Sequence, residues 1–247
     1  ASSLVGGKKF LYLIQDFEPI FYAASSHYAL ALETYNFSCI PVINTHILRD
    51  FLIENAIGRF AQSSHAANAL AFEPALDRSV FYPPHVSAPP LKVVGSQSKL
   101  KSKPDSRRKR RLLFYARPSV GVRNLFEIGL AALKAAVDQH ILDTDTWDIV
   151  GMGEDFVPRS LGRGAMLECA PWLGFDSYAE QMRESDILLS LMLSPHPSYP
   201  PLEMASCGGI VVTNSYANKS PERLAGISAN IIAAEPNVAA ILEALRA

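Results

Sequence analysis

Several short stretches of this chain carry side chains that do chemistry when gathered around an anion. Arg117 and Arg123 stand six residues apart in Ala116-Arg117-Pro118-Ser119-Val120-Gly121-Val122-Arg123-Asn124. Two guanidinium groups flanking a tight turn at the mouth of a helix suit a diphosphate, because each offers paired N–H donors to its oxygens. Taken alone, the loop reads first as two solvated surface arginines. Gly151-Met152-Gly153 gives half of a dinucleotide fingerprint, but position 156 is Phe where the third Gly would fall. A tight strand-to-helix turn explains it as well, and either way the backbone at Gly151 and Gly153 approaches a ligand closely. In Trp172-Leu173-Gly174 the backbone of Leu173 and Gly174 can pair with a base edge while an apolar side chain covers the ring. Trp172 itself reads as a buried core aromatic.

The longest such stretch is Ser194-Pro195-His196-Pro197-Ser198-Tyr199-Pro200-Pro201-Leu202-Glu203-Met204. Its four prolines make a rigid loop, with Pro201 at the first position of a helix. Free backbone N–H groups from Ser198 and Tyr199 to Leu202 would then face phosphate. Glu203 falls in the first turn, where its carboxylate either accepts hydrogen bonds from a ribose hydroxyl or merely complements the helix dipole; the two readings weigh evenly. Asp16 and Glu18 lie in Gln15-Asp16-Phe17-Glu18-Pro19 at a strand end, as acceptor-facing carboxylates or as parts of a plain turn.

The elements that must hold these residues alternate between strand and helix. Residues 9–15 form a continuous apolar run of the kind expected for a buried parallel strand. A helical pattern over 25–35, a strand at 39–43, a helix opening at Thr45 and a strand at 70–72 follow. That is too few strands for a finished doubly wound lobe. Residues 83–110 are rich in Pro and Ser, and the run from Lys99 to Arg111 holds eight basic residues and one acid. This marks residues 89–110 as a basic linker between a partial first lobe, 1–88, and a second lobe, 111–247. In the second lobe the spacing predicts strands at 111–115, 147–150, 165–168, 187–191, 210–213 and 230–233. Helices are predicted over 125–137 and 176–184, from Pro201 to the Gly208-Gly209 stop, and over 238–247. Two parallel α/β lobes joined by a linker predict a ligand in the cleft at the carboxyl ends of the strands.

Composition narrows the class. The chain has 247 residues, 49% of them hydrophobic, with 23 basic against 24 acidic side chains. The near-balance excludes a whole-molecule field for nucleic acid or membrane. Cys39, Cys169 and Cys207 are far apart and never in a CxxC pair, which fits a reducing compartment and small buried thiols. The six histidines show no ligand spacing, so no metal is expected. The longest apolar stretch, residues 187–193, is too short to span a bilayer, and the start has no hydrophobic signal core, so a cytoplasmic protein is expected. The missing initiator Met and the stop inside an Ala/Leu-rich pattern read as a fragment cut at both ends.

The order of these elements resembles the donor lobe of retaining two-lobed GT-B glycosyltransferases. It is carried by the Arg-containing loop, Gly-x-Gly, Leu173-Gly174, Ser185-Asp186-Ile187, Leu202-Glu203-Met204-Ala205 and Gly208-Gly209-Ile210-Val211-Val212-Thr213. More narrowly, the chain is similar to bacterial dTDP-rhamnosyltransferases of rhamnan and S-layer glycan synthesis. That likeness rests on Gln15 to Pro19, on Phe114-Tyr115-Ala116-Arg117-Pro118 and on Leu193 to Met204. The resemblance implies a fold of two Rossmann-like lobes, the N-terminal one incomplete and the C-terminal one nearly complete. By it Arg117 and Arg123 contact the diphosphate and Glu203 binds the nucleoside sugar. The wider superfamily has a second Glu eight residues before this one, where this chain has Pro195. That departure puts the common hexose contacts in doubt and agrees with a deoxysugar donor.

The expected activity is transfer of L-rhamnose from dTDP-rhamnose to a growing glycan or lipid-linked glycan, with retention. The dTDP-sugar is the donor substrate, and no cofactor, metal or nucleic-acid partner is expected. Residues 99–111 read as a solvated linker, with anionic lipid at the inner membrane face as the lesser reading. The rival functions are a non-catalytic sugar-nucleotide or glycan-binding module and an NAD-type oxidoreductase.

Overall fold

The computed structural model describes residues 10–84 and 108–247. Most of the predicted linker therefore lies outside the described residues. The chain opens with β1 (Phe10–Ile14), α1 (Ser26–Glu33), β2 (Cys39–Asn44), α2 (His46–Glu54), the short α3 (Ser63–Ala67) and β3 (Leu70–Phe72). Ser25 caps α1 by accepting from the Tyr28 N–H, and Thr45 caps α2 by accepting from the Leu48 N–H. The three strands form one parallel sheet in the order β1-β2-β3. Ile14, Ile43, Leu48, Phe51, Leu52 and Phe60 make its core. The expectation of a fully buried β1 is corrected: Leu11 and Leu13 are exposed, as are Leu70 and Phe72 on β3. Only one face of this small sheet is covered.

The second lobe begins with β4 (Arg110–Tyr115), α4 (Gly121–Asn124), α5 (Phe126–Asp138), β5 (Trp147–Met152), β6 (Arg159–Gly162) and β7 (Ala165–Cys169). It continues through α6 (Phe175–Arg183), β8 (Ile187–Leu189), α7 (Tyr199–Ser206), β9 (Ile210–Asn214), α8 (Pro221–Ile227), β10 (Ile231–Ala234) and α9 (Val238–Arg246). The strand order is β10-β9-β8-β4-β5-β7-β6, parallel except for β6 against β7. The edge strand β6 and helix α8 escape the periodicity argument because both are short.

This sheet is covered on both faces, which is why its strands read as continuous apolar runs. Leu112, Phe114, Ile149 and Val212 point to one side, where α5 contributes Ala132, Leu133 and Ala136 and α9 contributes Ile241 and Leu245. Leu113, Leu188 and Val211 point to the other, against Met182 of α6, Leu202 and Met204 of α7 and Leu224 of α8. Gly129 of α5 sits where a Cβ would overlap the Phe114 ring, so that helix lies directly on the central strand.

Residues beyond β3 cross to the second lobe before the linker. Phe81 is buried against Phe175 and Tyr178, its carbonyl accepts from Ser206 Oγ at 3.0 Å, and Arg183 donates to the Val80 carbonyl. The end of the basic run is also engaged there. Arg108 pairs with Asp186, Lys109 donates to the Thr144 carbonyl, Arg110 lies over Trp147 at 4.4 Å, and Arg111 bonds Gln181.

Candidate functional site

In the second sheet β4 is the strand from which the order runs both ways, to β5 on one side and to β8 on the other. Loops diverge at such a point and leave a crevice beyond the strand ends. The segments that follow β4 and β8 carry Arg117, Arg123, His196, Ser198 and Tyr199. The carboxyl ends of β1 and β2 bring Asp16, Glu18 and Asn44 to the same place. These residues line one inter-lobe cleft of about 320 Å³.

One backbone bond joins these two segments, and a side chain of β9 ties down the second. The Leu193 N–H donates to the Arg123 carbonyl at 2.8 Å, and the Met192 N–H donates to Asn214 Oδ1 at 2.7 Å. Leu125, in the left-handed region at φ 50°, separates α4 from α5 and turns Arg123 back toward the cleft. Ser198 takes φ 71° at the entrance to α7, a strained conformation of the kind found where function constrains the chain.

Asp16, 5% exposed, is the junction between the lobes. One oxygen accepts from its neighbour's Phe17 N–H and from Ser194 Oγ, and the other takes the Arg123 guanidinium. Arg123 also lies 4.2 Å over the Phe21 ring. Arg117 forms no ion pair among the described residues, and the buried Nε of each arginine has no hydrogen-bond partner among them. Glu18 is exposed at the cleft, with its N–H held by Tyr35 Oη at 3.3 Å.

A second hollow of about 380 Å³ adjoins the first through Tyr115, which lines both. Gly153, Leu173, Gly174 and Tyr178 are among its walls, and Trp172 stands at its mouth. Trp172 is 79% exposed, so the reading of a buried core aromatic is corrected. It follows the end of β7 on a loop that no helix covers. Gly153, at φ 106°, lets the chain turn close against the Tyr115 ring.

Glu203 sits behind that hollow. Its Oε2 accepts from Tyr178 Oη at 2.6 Å, and burial raises its pKa above the usual carboxylate value, opposed by that bond. Helix α7 begins at Tyr199, two residues earlier than expected, so Pro201 is not its first residue and Glu203 lies past the first turn. The helix-dipole reading of Glu203 therefore loses its geometric basis. Pro200 and Pro201 also remove two of the first N–H groups that would have faced phosphate. With those donors lost, Arg117 and Arg123 remain the cationic side chains lining the cleft.

Three other candidates serve packing. Gly151 lies where a Cβ would overlap the Phe156 ring, so the residue that breaks the dinucleotide pattern also fills the space beside its first glycine. Pro201 is buried, and Leu202 packs in the core under α7.

Two residues outside the candidate set belong to the site. His196, 4% exposed, accepts the Ser198 N–H at Nδ1 and stacks on Tyr199 with ring centroids 5.9 Å apart. Burial pushes its pKa down to about 4, with Asp16 opposing and Lys219 and Arg123 assisting. Lys219 is 1% exposed beneath the cleft floor and donates to the Met192 carbonyl at 2.9 Å. Burial brings its pKa down to about 7 against the attraction of Asp16. His196 was visible in sequence by its place among the prolines. Lys219, in Asn218-Lys219-Ser220, reads as an ordinary surface lysine.

Comparison with known proteins agrees with this architecture. The model for the WsaF C-terminal domain matches residues 110–246, and that for the WsaF N-terminal domain matches residues 2–46. The chain is 32% identical over 235 residues to the O-antigen biosynthesis protein RfbC of Myxococcus xanthus, covering 95% of this chain and 16% of that protein. Sucrose-phosphate synthase from Thermosynechococcus elongatus shares the fold at TM-score 0.59 and 12% identity, over 99% of this chain and 60% of that one. WaaG, a glycosyltransferase involved in lipopolysaccharide biosynthesis, does so at TM-score 0.53 and 15% identity, over 91% and 58%. The α/β fold with parallel sheets is thus that of GT-B glycosyltransferase neighbours, and with its second lobe matched from end to end the chain belongs to the WsaF family.

Proposed function

We propose that this chain is the nucleotide-sugar-binding part of a glycosyltransferase acting in cell-surface glycan synthesis, with dTDP-L-rhamnose as donor and retention at the transferred carbon. The observation that carries the reading is the convergence of Arg117 and Arg123 in a cleft that shares the Tyr115 wall with a neighbouring hollow lined by Trp172, Phe175 and Tyr178. On this reading an anion at the arginines leaves the nucleoside for the hollow, with Trp172 over the base, and Glu203, which lines neither cavity, meets the nucleoside sugar from behind Tyr178. The glycosyl group then lies between Asn44, His196 and Tyr199, facing Asp16 and Glu18.

In the transfer step the bond from the sugar carbon to the departing phosphate oxygen breaks as the acceptor oxygen forms its own. The acceptor's proton leaves to a cleft base or to the departing oxygen. The arginines stabilise the charge that grows on the diphosphate, and the lobes hold the two reactants in line. Asp16 has both oxygens engaged, which leaves Glu18 as the carboxylate able to meet an acceptor hydroxyl. No metal is required, because two guanidinium groups supply the positive charge.

The chain spans 16% of the length of the curated relative it matches. We place the enzyme on the cytoplasmic side of the membrane. No helix among the described residues is long and apolar enough to cross it. With Arg108 to Arg111 engaged by the second lobe, contact with anionic lipid falls to the charges before them. Calorimetry with dTDP, UDP, GDP and NAD tests the reading: dTDP should bind most tightly, and tighter binding of NAD or a purine diphosphate would overturn it. Transfer of labelled rhamnose from dTDP-rhamnose to a glycan acceptor separates an enzyme from a non-catalytic binding module.

A further inference from the structure

His196 presents two ring nitrogens to two different surroundings. Nδ1 accepts the Ser198 N–H at 2.9 Å, which fixes the neutral tautomer with the proton on Nε2. Nε2 is buried and has no hydrogen-bond partner among the described residues, while the ring lines the inter-lobe cleft. A buried donor without an acceptor is costly, and native structures keep one chiefly where a ligand or ordered water completes it. The ring is held in place on three sides. It stacks on Tyr199, whose Oη accepts from Asn44 of the first lobe at 3.1 Å, and the His196 N–H donates to Ser194 Oγ at 2.9 Å. Ser194 in turn bonds Asp16. A side chain fixed this firmly is a preorganised donor rather than a mobile one.

We propose that His196 is a donor-binding residue whose Nε2–H donates a hydrogen bond to an uncharged oxygen of the glycosyl group of the nucleotide sugar. This rests on the nucleotide-sugar reading of the cleft. The choice of a sugar oxygen over a phosphate follows from the surrounding charges. Arg117 and Arg123 already serve an anion, and a third contact to it would favour an imidazolium. Burial, with Lys219 and Arg123, outweighs the attraction of Asp16 and Glu73 and keeps the ring neutral. A neutral N–H suits a hydroxyl, and a site built around such a bond discriminates against sugars lacking that hydroxyl at the right position.

Two substitutions separate ligand binding from loop support. His196→Asn places an oxygen where Nδ1 was, keeping the acceptor for Ser198 and removing the donor to the cleft. His196→Gln does the reverse, keeping an N–H donor near Nε2 and losing the Ser198 acceptor. Calorimetric affinities for dTDP and for dTDP-L-rhamnose are measured on both variants and on the unaltered chain, with melting temperatures alongside. His196→Asn should hold its dTDP affinity and lose about three- to tenfold for dTDP-L-rhamnose, the worth of one neutral hydrogen bond, while His196→Gln keeps most of it. If dTDP and dTDP-L-rhamnose weaken together, or if His196→Gln loses affinity and His196→Asn does not, His196 supports the loop and the proposal is overturned. The nucleotide-sugar reading survives that result. If the unaltered chain binds neither ligand, the reading itself fails and takes this inference with it.

Discussion

Arg117 and Arg123 enter the same cleft with different obligations, so replacing each by alanine should give opposite signatures. Arg123 holds Asp16, a carboxylate only 5% exposed, and removing it leaves that charge with Ser194 and the Phe17 N–H alone. Breaking a buried ion pair from one side costs about 3 to 5 kcal/mol, and the partial exposure of Arg123 brings the expected loss to about 2 to 3 kcal/mol. For a chain of this size each kcal/mol lowers the melting temperature by about 2 to 4 °C, so Arg123→Ala should melt roughly 4 to 12 °C lower. Arg117 has no such duty, and Arg117→Ala should change unliganded stability by less than about 0.5 kcal/mol. Its effect appears with ligand. A charge-assisted hydrogen bond to a diphosphate contributes about 1.5 to 3 kcal/mol, so dTDP affinity should fall by about 10- to 150-fold, with thymidine nearly unaffected. Scanning calorimetry without ligand and titration with dTDP and thymidine, on both variants, read these quantities. The reasoning is refuted if Arg117→Ala melts as low as Arg123→Ala, or if thymidine and dTDP weaken in step.

Glu203→Gln should bind dTDP about 1 to 2 kcal/mol more weakly while pyrophosphate is spared, with unliganded melting almost unchanged because the amide still accepts from Tyr178 and sheds the burial cost of a charge; a stability loss with intact dTDP affinity would count against the role. Trp172→Ala should weaken dTDP by about 0.5 to 1.5 kcal/mol, the worth of one aromatic stack, without lowering the melting temperature of a side chain already 79% exposed; equal affinities in a titration would remove the base from that hollow. Stability should also depend on pH through two buried groups. The unfolded chain takes up a proton on His196 below about 6.5 while the folded chain resists until about 4, so stability falls across that window as pH drops, and less so in His196→Asn. Lys219 deprotonates near 7 when folded and at 10.5 when unfolded, so its contribution rises with pH between those values. Denaturant midpoints from pH 7 to 10 should show that slope in the unaltered chain and not in Lys219→Met.

What could be read from the residues in order was whatever depends on near neighbours. The apolar runs at 112–114 and 187–189 announced buried parallel strands because α helices cover both faces of that sheet. The same reasoning failed at β1, whose apolar run is identical in character but whose outer face is uncovered. The arginine loop and the proline loop were legible as candidate ligand contacts because each follows a strand. Their meeting with Asp16 was not, since the Asp16–Arg123 pair spans 107 positions and no local pattern encodes it. Lys219 shows the same limit: its neighbours are polar, and only the packing of the loop after β9 reveals that it is buried. Pro201 misled by two residues, because proline is tolerated throughout the first turn of a helix, where the N–H it lacks has no partner within the helix.

The pairing of Asp16 with Arg123 bears on how fast an anion arrives. A cleft that displays two bare guanidinium groups would draw a diphosphate from a distance, and its capture rate would collapse as salt shortens the reach of the field. Here one of those charges is already met by a carboxylate, and Glu18 stands nearby as a second negative group. Arg117 is left to do the long-range attraction, so capture should be comparatively slow and only weakly sensitive to ionic strength. On the proposed reading the diphosphate meets the Arg123 donors that Asp16 does not use, so the inter-lobe fastening stays closed while the ligand is held.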